Sequence, residues 1–199
     1  MKKWLIFVMI CLFSLPAAAK ISWGVRAGLS YSSLTQIIDE EVTYGGRMGF
    51  NIAGLMDIPL SNRFSLRPEL AFVSQGGAYD YIYTVDEEVV TGRHTCVYYT
   101  AQIPVNLAYK IYYNEWILGL QAGPFVSLST REREKNDWNV RDFRSFDIGA
   151  GAGLYVEYKK AYFSVYANTG FLDRLKEKQP RESQIYQNNV TFSFGYWFH

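Results

Sequence analysis

The chain has 199 residues, of which 49% are apolar and 17% aromatic, so a disordered polymer is excluded and one domain is expected. Lys and Arg number 20 against 19 Asp and Glu, and this near-neutral balance gives no support to nucleic-acid binding, which requires a basic face. The 16 Tyr, 13 Phe and 5 Trp exceed ordinary soluble usage and favour membrane–water interfaces.

The first segment, residues 1–19, has the order of a secretory signal peptide. Lys2 and Lys3 precede an apolar run, and three alanines end it. The apolar run is short for a membrane anchor helix, which needs roughly 20 residues. We therefore expect cleavage after Ala19, with residues 20–199 forming one domain of the secreted protein. Loss of the two lysines leaves 18 basic against 19 acidic residues, a net charge of −1.

Alternation with a period of two residues runs through the rest of the chain and predicts strands rather than helices. In the first stretch the odd positions are apolar, and the even positions are small or polar. Each of eight such stretches carries one apolar face, so we predict eight antiparallel strands. The apolar stripes are Ile21 to Tyr31, Met48 to Ile58, Phe64 to Phe72, Val97 to Tyr109, Trp116 to Leu128, Phe146 to Val156, Phe163 to Phe171 and Val190 to Phe198.

The connections between these strands alternate in length. Short turns are expected at residues 59–62, 113–114 and 159–160, and longer polar segments at residues 35–44, 80–94, 130–142 and 173–187. Outer-membrane barrels have this asymmetry, with short periplasmic turns and long outer loops, whereas a soluble sandwich has no reason to keep it. The sequence thus predicts an all-β, eight-stranded, antiparallel up-and-down transmembrane β-barrel in the cell outer membrane.

Aromatic residues gather near both predicted ends of the strands, as in the two aromatic girdles of such barrels. The periplasmic set is Trp23, Phe64, Tyr109, Tyr112, Tyr113, Trp116, Tyr158, Tyr162 and Phe198, and the outer set is Tyr31, Tyr44, Tyr79, Tyr81 and Tyr99. A soluble β core with scattered rings is the alternative.

Three prolines, Pro68, Pro104 and Pro124, fall inside predicted strands. Proline donates no ladder hydrogen bond, and a closed barrel offers no edge strand where this would be harmless. We expect each proline to mark a bulge, which would shift the inward and outward register beyond it.

Several short segments, in this order and spacing, resemble the PorT-like outer-membrane β-barrel proteins, which are related in shape to the OmpA and OmpX type. The resemblance implies a fold and a location rather than an activity, and the name-giving member of the family is tied to a protein secretion system. A departure from the usual pattern is His199, which follows the closing aromatic Phe198. The matching segments are residues 24–34 (GVRAGLSYSSL), 66–77 (LRPELAFVSQGG), 103–110 (IPVNLAYK), 120–126 (LQAGPFV), 146–153 (FDIGAGAG) and 168–172 (NTGFL).

Eight charged residues fall on the predicted inward face and form the candidate site. The interior of an eight-stranded barrel is only wide enough for side chains, and isolated buried charges are very costly, so the deep groups must pair. Partial solvation is the alternative for the four that lie close to the short turns, which are Asp57, Lys110, Glu115 and Glu157. A structural salt-bridge plug is the plainer interpretation, and a proton or ligand site around Arg67 and Glu69 is the alternative. The set is Arg26, Asp57, Arg67, Glu69, Lys110, Glu115, Asp147 and Glu157.

No pattern predicts a catalytic, cofactor or metal site. His94 and Cys96 could supply two metal ligands, but two more are needed, and a solvated loop histidine is the simpler reading. The glycines at 149, 151 and 153 lack the helix that follows a phosphate-binding loop, so we expect them to be small residues in a tight lumen.

The favoured function is a non-enzymatic outer-membrane scaffold for loop-mediated contacts, or an accessory of secretion or envelope assembly. Its expected partners are outer-membrane lipid and envelope or secretion-system proteins, without nucleic acid and without a cofactor. Two alternatives stay open: a barrel enzyme acting on lipid or peptide, and a soluble periplasmic β-barrel that binds an apolar ligand. The last requires an apolar interior.

Overall fold

The computed structural model describes residues 21–36, 44–85, 88–131, 144–174 and 185–198, so the expected signal peptide lies outside the described residues. These segments contain no helix that is both long and apolar enough to cross a membrane. They form nine strands, which are β1 (Ser22–Gln36), β2 (Tyr44–Gly45), β3 (Arg47–Pro59), β4 (Phe64–Val85), β5 (Glu88–Tyr113), β6 (Trp116–Arg131), β7 (Phe146–Tyr158), β8 (Ala161–Gly170) and β9 (Ile185–Trp197).

The strands close into an antiparallel barrel. Strand β1 pairs with β3, each strand from β3 onward pairs with the next one in sequence, and β1 also pairs with β9, so the sheet has no free side. Strand β2 has only two residues, pairs with β4 as β3 does, and is separated from β3 by one residue. Strands β2 and β3 together therefore occupy one strand position in the barrel wall, and the barrel has eight such positions. The predicted fold class is confirmed.

Alternation along each strand sorts the side chains between two environments. On β1, Val25, Ala27 and Leu29 are exposed on the outer wall, whereas Arg26 and Ser30 are buried inside. The other strands repeat the pattern, so the outside is apolar and the buried interior is rich in Ser, Thr, Asn, Gln and charged side chains. A soluble carrier of an apolar ligand needs the opposite arrangement, and that alternative is rejected.

Tight turns join strands at the rim where β1 begins and β9 ends, which we call the short-turn rim. Asn114 and Lys159 adopt φ of 53° and 55° there, within the two-residue connections β5–β6 and β7–β8. Asn tolerates this left-handed conformation better than most residues, whereas Lys159 holds it at a small cost. At the β3–β4 turn, the amides of Leu60 and Ser61 both donate to the Phe64 carbonyl, at 2.9 and 3.0 Å.

The opposite end, which we call the long-loop rim, differs from the prediction at one place. Residues 80–94 were expected to be a loop, but β4 continues to Val85 and β5 begins at Glu88. The two strands stay paired from Phe64↔Tyr109 to Val85↔Glu88. They therefore extend as a hairpin beyond Tyr79, the last β4 residue paired with β2, and beyond Tyr98, the last β5 residue paired with β6.

The expectation of a bulge at each proline is wrong. Paired residue numbers sum to one constant along each of the β3–β4, β4–β5 and β5–β6 ladders, on both sides of Pro68, Pro104 and Pro124. Each ladder lacks only two neighbouring pairs, opposite or beside a proline. The missing N–H thus removes local pairing while the alternation of side chains holds the register.

Rings line the outer wall at both ends, with one correction. The Trp116 and Tyr158 rings are tilted by 34° with centroids 4.6 Å apart on the short-turn side, and Phe72 stacks on Tyr99 at 5.7 Å toward the long-loop side. Tyr162 was placed in the girdle, but it points inward and is 2% exposed. The side chains of Tyr44, Tyr79 and Tyr81 lie outside the described ones.

Candidate functional site

A buried ionic cluster closes the lumen near the short-turn rim. Arg67 Nε lies 2.5 Å from Asp57 Oδ2, and its Nη2 lies 2.5 Å from Glu157 Oε1. Lys110 Nζ donates to Asp57 Oδ1 at 2.8 Å, and Ser65 Oγ donates to Asp57 Oδ2 at 3.3 Å. We call Asp57, Arg67, Lys110 and Glu157 the short-turn cluster. It holds two cations and two anions.

Three rings surround the Arg67 guanidinium. Its Cζ lies 3.9 Å from the centroid of the Tyr155 ring, 5.3 Å from that of Trp197 and 5.8 Å from that of Tyr162. A guanidinium over an aromatic face is attracted to the ring quadrupole, and the attraction is strongest where water is excluded. Arg67 is 2% exposed, so carboxylates and rings together replace its hydration.

A second set of polar groups fills the middle of the lumen. Arg26 donates to one oxygen of Glu69 from both Nε (3.1 Å) and Nη2 (2.8 Å). Its Nη1 donates to Asn51 Oδ1 at 2.7 Å and to Ser193 Oγ at 2.8 Å. These contacts join β1, β3, β4 and β9 across the interior. We call Arg26, Asn51, Glu69 and Ser193 the middle cluster.

A third set lies toward the long-loop rim. Arg174 follows β8, is buried, and donates from Nη2 to Ser129 Oγ at 3.0 Å. Its Nη1 is 4.0 Å from Asp147 Oδ2, and its Cζ is 5.4 Å from the centroid of the Tyr98 ring. Asp147 also accepts from the Leu172 amide at 3.1 Å. We call Ser129, Asp147 and Arg174 the long-loop cluster.

Glycines on the inner face give the large interior side chains their space. A Cβ on Gly119 would lie 1.9 Å from Tyr155 Cζ, and one on Gly151 would lie 2.4 Å from the Tyr166 hydroxyl. Gly149 has the Phe125 ring at 2.5 Å from the same ideal position, besides backbone. The glycine run of β7 thus makes room for rings from other strands, as expected for small residues in a tight lumen.

Charge is balanced within each of the three clusters. The three clusters contain Arg26, Arg67, Lys110 and Arg174 against Asp57, Glu69, Asp147 and Glu157, and each carboxylate faces a cation within 4.0 Å. A removed partner would leave a buried charge uncompensated. The clusters, with the rings between them, fill the described part of the interior as a plug, as a barrel of eight strands favours.

Seven of the eight charged residues expected inside are in these clusters. Glu115 is the exception and a correction: it lies in the β5–β6 turn, with its side chain 62% exposed and 3.7 Å from Lys159. The turn takes it out of the alternating pattern. Arg174 was missed as a lumen residue because it follows a strand, where alternation gives no direction.

The sequence's weaker candidates for chemistry give nothing further. His94 and Cys96 are on β5, but their side chains lie outside the described ones, as does His199. Among the described residues, no three His, Cys, Asp or Glu side chains come together as a metal-binding group would require.

Comparison with known proteins agrees with this geometry. OprG from Pseudomonas aeruginosa superposes with a TM-score of 0.51 at 11% identity, over 89% of this chain and 96% of that one. Neisserial surface protein A gives 0.48 at 11% identity, over 87% and 96%. Ail of Yersinia pestis gives 0.46 at 13% identity, over 89% and 98%. At 11% identity the likeness to OprG is one of fold.

By sequence, none of the curated proteins matches the chain. The family model described as "Outer membrane protein beta-barrel domain" matches residues 14–173. Since this is well over half of the chain, and the barrel has the family's fold, this protein belongs to the outer-membrane protein β-barrel domain family.

Proposed function

We propose that this outer-membrane barrel is a non-enzymatic scaffold that presents contact elements at its long-loop rim to other envelope proteins. The observation that carries the proposal is the occupied lumen. With the interior filled by paired charges and rings, transport through the barrel is not its task. The work of such a scaffold falls to segments beyond the membrane.

Among the described residues, such a segment is the projecting β4–β5 hairpin. From Tyr79 to Val85 on one strand and from Glu88 to His94 on the other, the described pairings of the two strands are with one another, apart from Tyr44↔Tyr79 at the base. Seven residues extend about 23 Å along a strand. A two-stranded ribbon is marginally stable alone, and its outer edges present backbone groups to which an extended segment can add.

The resemblance to PorT-like proteins supports a role in secretion or envelope assembly. The proposal assigns no activity, because each lumen carboxylate in the described part of the chain pairs with a cation, and the Ser65 hydroxyl donates to one that is already paired in this way, Asp57. A barrel enzyme acting on lipid or peptide would need an activated nucleophile or an unpaired acid or base at the rim.

Photo-crosslinking in intact cells tests the proposal. A crosslinking amino acid replaces Tyr83 or Val90, which are paired on the hairpin, and Leu60 at the other rim serves as the control. We expect a discrete crosslinked envelope protein from the hairpin positions and none from Leu60. A second variant joins Asp80 to Arg93 by a two-residue turn, and it should keep the barrel and lose the partner.

Equal crosslinking from Leu60 would contradict the proposal, as would normal secretion and envelope integrity in cells that carry the shortened hairpin. Turnover of lipid or peptide by the purified barrel, abolished by substitution of a rim residue, would establish the enzyme instead.

A further inference from the structure

The outer wall of the barrel carries an apolar groove of about 500 Å³ across β5, β6 and β7. Its floor is formed by Ala122 and Ala152, which are direct cross-strand partners. Leucines border it on both sides, and the paired rings of Phe64 and Tyr109 stand at one end, 5.1 Å apart. Ligand sites in proteins commonly enclose about 300–1,000 Å³, so the groove is large enough for part of one molecule. The leucines are Leu107, Leu120 and Leu154.

The groove lies in the half of the membrane next to the short-turn rim. Tyr109, Leu120 and Leu154 are paired across three strands, four residues from the strand ends at Tyr113, Trp116 and Tyr158. At about 3.3 Å per residue and a tilt near 40°, the row lies about 10 Å from that rim, within an apolar band about 25 Å tall. Short turns face the periplasm in outer-membrane barrels.

A cation stands at the rim end of the groove. Arg63 directly precedes β4, and its carbonyl accepts from the Lys110 amide at 2.7 Å, so its backbone lies one residue nearer the rim than Tyr109. The Arg63 guanidinium is exposed and donates from Nη1 to the Tyr109 hydroxyl at 3.3 Å. Tyr109 itself lines the groove. The apolar groove thus ends at the exposed Arg63 guanidinium, at the depth where lipid headgroups begin.

We propose that this groove, which we call the Arg63 groove, is a binding site for one glycerophospholipid of the periplasmic leaflet. An acyl chain lies over Ala122 and Ala152, and the phosphate accepts hydrogen bonds from Arg63, whose planar donors suit a phosphate. The two alanines matter because larger side chains would fill the floor. The leaflet excludes lipopolysaccharide, which occupies the opposite side of the membrane.

Native mass spectrometry of the detergent-solubilised full barrel, titrated with dimyristoyl phosphatidylglycerol, measures this binding. Arg63→Gln should weaken retention of the first lipid about fivefold, which corresponds to about 1 kcal/mol for one cation at a membrane surface. Ala122→Leu and Ala152→Leu, made separately, should each weaken it about tenfold by displacing acyl methylenes. The two alanine variants are made separately so that the test still stands if one of them fails to fold. Folding of each variant is checked by heat-modifiable gel mobility.

The controls separate site binding from general lipid coverage. Ala27→Leu adds the same volume to the outer wall of β1, and Lys160→Gln removes another cation of the short-turn rim. Both should stay within about twofold of the unchanged barrel, because single surface changes away from a site have small effects. Dimyristoylglycerol, which lacks the phosphate, should bind the unchanged barrel and Arg63→Gln equally.

Three results would overturn the proposal. These are unchanged binding in both alanine variants, an Arg63→Gln effect that persists with dimyristoylglycerol, and equal losses in the two controls. Competition by lipid A as effective as that by phosphatidylglycerol would also contradict the assignment to the periplasmic leaflet.

Discussion

Removal of the Arg67 guanidinium is the perturbation that tests the lumen plug most severely. Arg67→Met keeps much of the side-chain volume but leaves Asp57 and Glu157 facing Lys110 alone, so the short-turn cluster becomes net negative in the interior. Breaking a buried ion pair by removing one partner costs about 3–5 kcal/mol. The lost contact with the Tyr155 ring, 3.9 Å away, adds about 1–2 kcal/mol.

The assay is urea unfolding of the barrel from lipid vesicles, followed by tryptophan fluorescence. A second variant, Arg67→Met with Glu157→Gln, restores neutrality because Lys110 and Asp57 remain as a pair at 2.8 Å. It should recover at least half of the loss, since balanced charges no longer leave an excess carboxylate. The matched control is Lys159→Met, which breaks an exposed pair with Glu115 and should cost at most about 1 kcal/mol.

The reasoning is refuted if Arg67→Met costs no more than Lys159→Met. It is also refuted if the double variant is as unstable as the sum of its single changes. Either result would mean that water reaches the cluster and solvates its carboxylates, so that the lumen is not closed there.

Three further predictions follow from the interior. Gly119→Ala should lower the free energy of unfolding by about 1–3 kcal/mol because its Cβ would meet the Tyr155 ring, whereas Gly54→Ala, with nothing within 4 Å, should be neutral or stabilising in the same urea assay. Arg174→Ala should cost about 2 kcal/mol through its lost contacts with Ser129 and Asp147, and a cycle with Asp147→Asn should show coupling of at least about 0.5 kcal/mol. The unchanged barrel in a planar bilayer should show no stepwise conductance; regular ion-conducting steps would contradict the plug.

Strand number and facing were readable from the sequence because each side chain in a membrane barrel meets either lipid or the lumen. Arg26, Arg67 and Glu69 could be placed inside by parity alone, and the alternation holds through Pro68 and Pro104. The bulge expected at each proline did not occur, because a register shift would turn a whole run of apolar side chains inward. Loss of one or two local strand pairings at a proline costs less free energy than such a register shift.

The alternation of inward and outward positions could not predict which charged side chains form ion pairs within the lumen. Arg67 meets Glu157, which is 90 residues away in sequence, because the barrel brings β4 and β7 to face one another across the interior. The sequence carries only a weak signal that some tyrosines point inward, which is that a glycine lies opposite each on the neighbouring strand. Gly119 is the cross-strand partner of Tyr155, and Gly195 is that of Tyr162. Small residues beside large ones on the same face indicate interdigitation, which hydrophobicity alone does not report.

The projecting hairpin was overlooked because three consecutive acidic residues, 86–88, were taken to indicate a loop. Residues 81–85 and 89–91 are nonetheless rich in Tyr, Ile, Val and Thr, which favour strands, so the sequence did carry a signal for this hairpin. The turn position of Glu115 and the post-strand position of Arg174 show a different limit, because alternation gives a direction only within a strand.

A nitroxide scan along β6 tests the central claim of a lipid-embedded barrel most directly. Single cysteines are introduced in a Cys11→Ser, Cys96→Ser background, and accessibility to oxygen, which partitions into lipid, is measured in vesicles by electron paramagnetic resonance. We predict high accessibility at the outward positions and low accessibility at the inward ones, with the period of two unbroken across Pro124. Uniform accessibility, or a phase change at Pro124, would contradict the account. The outward positions are Leu118, Leu120, Ala122, Val126 and Leu128, and the inward ones are Gln121, Phe125 and Ser127.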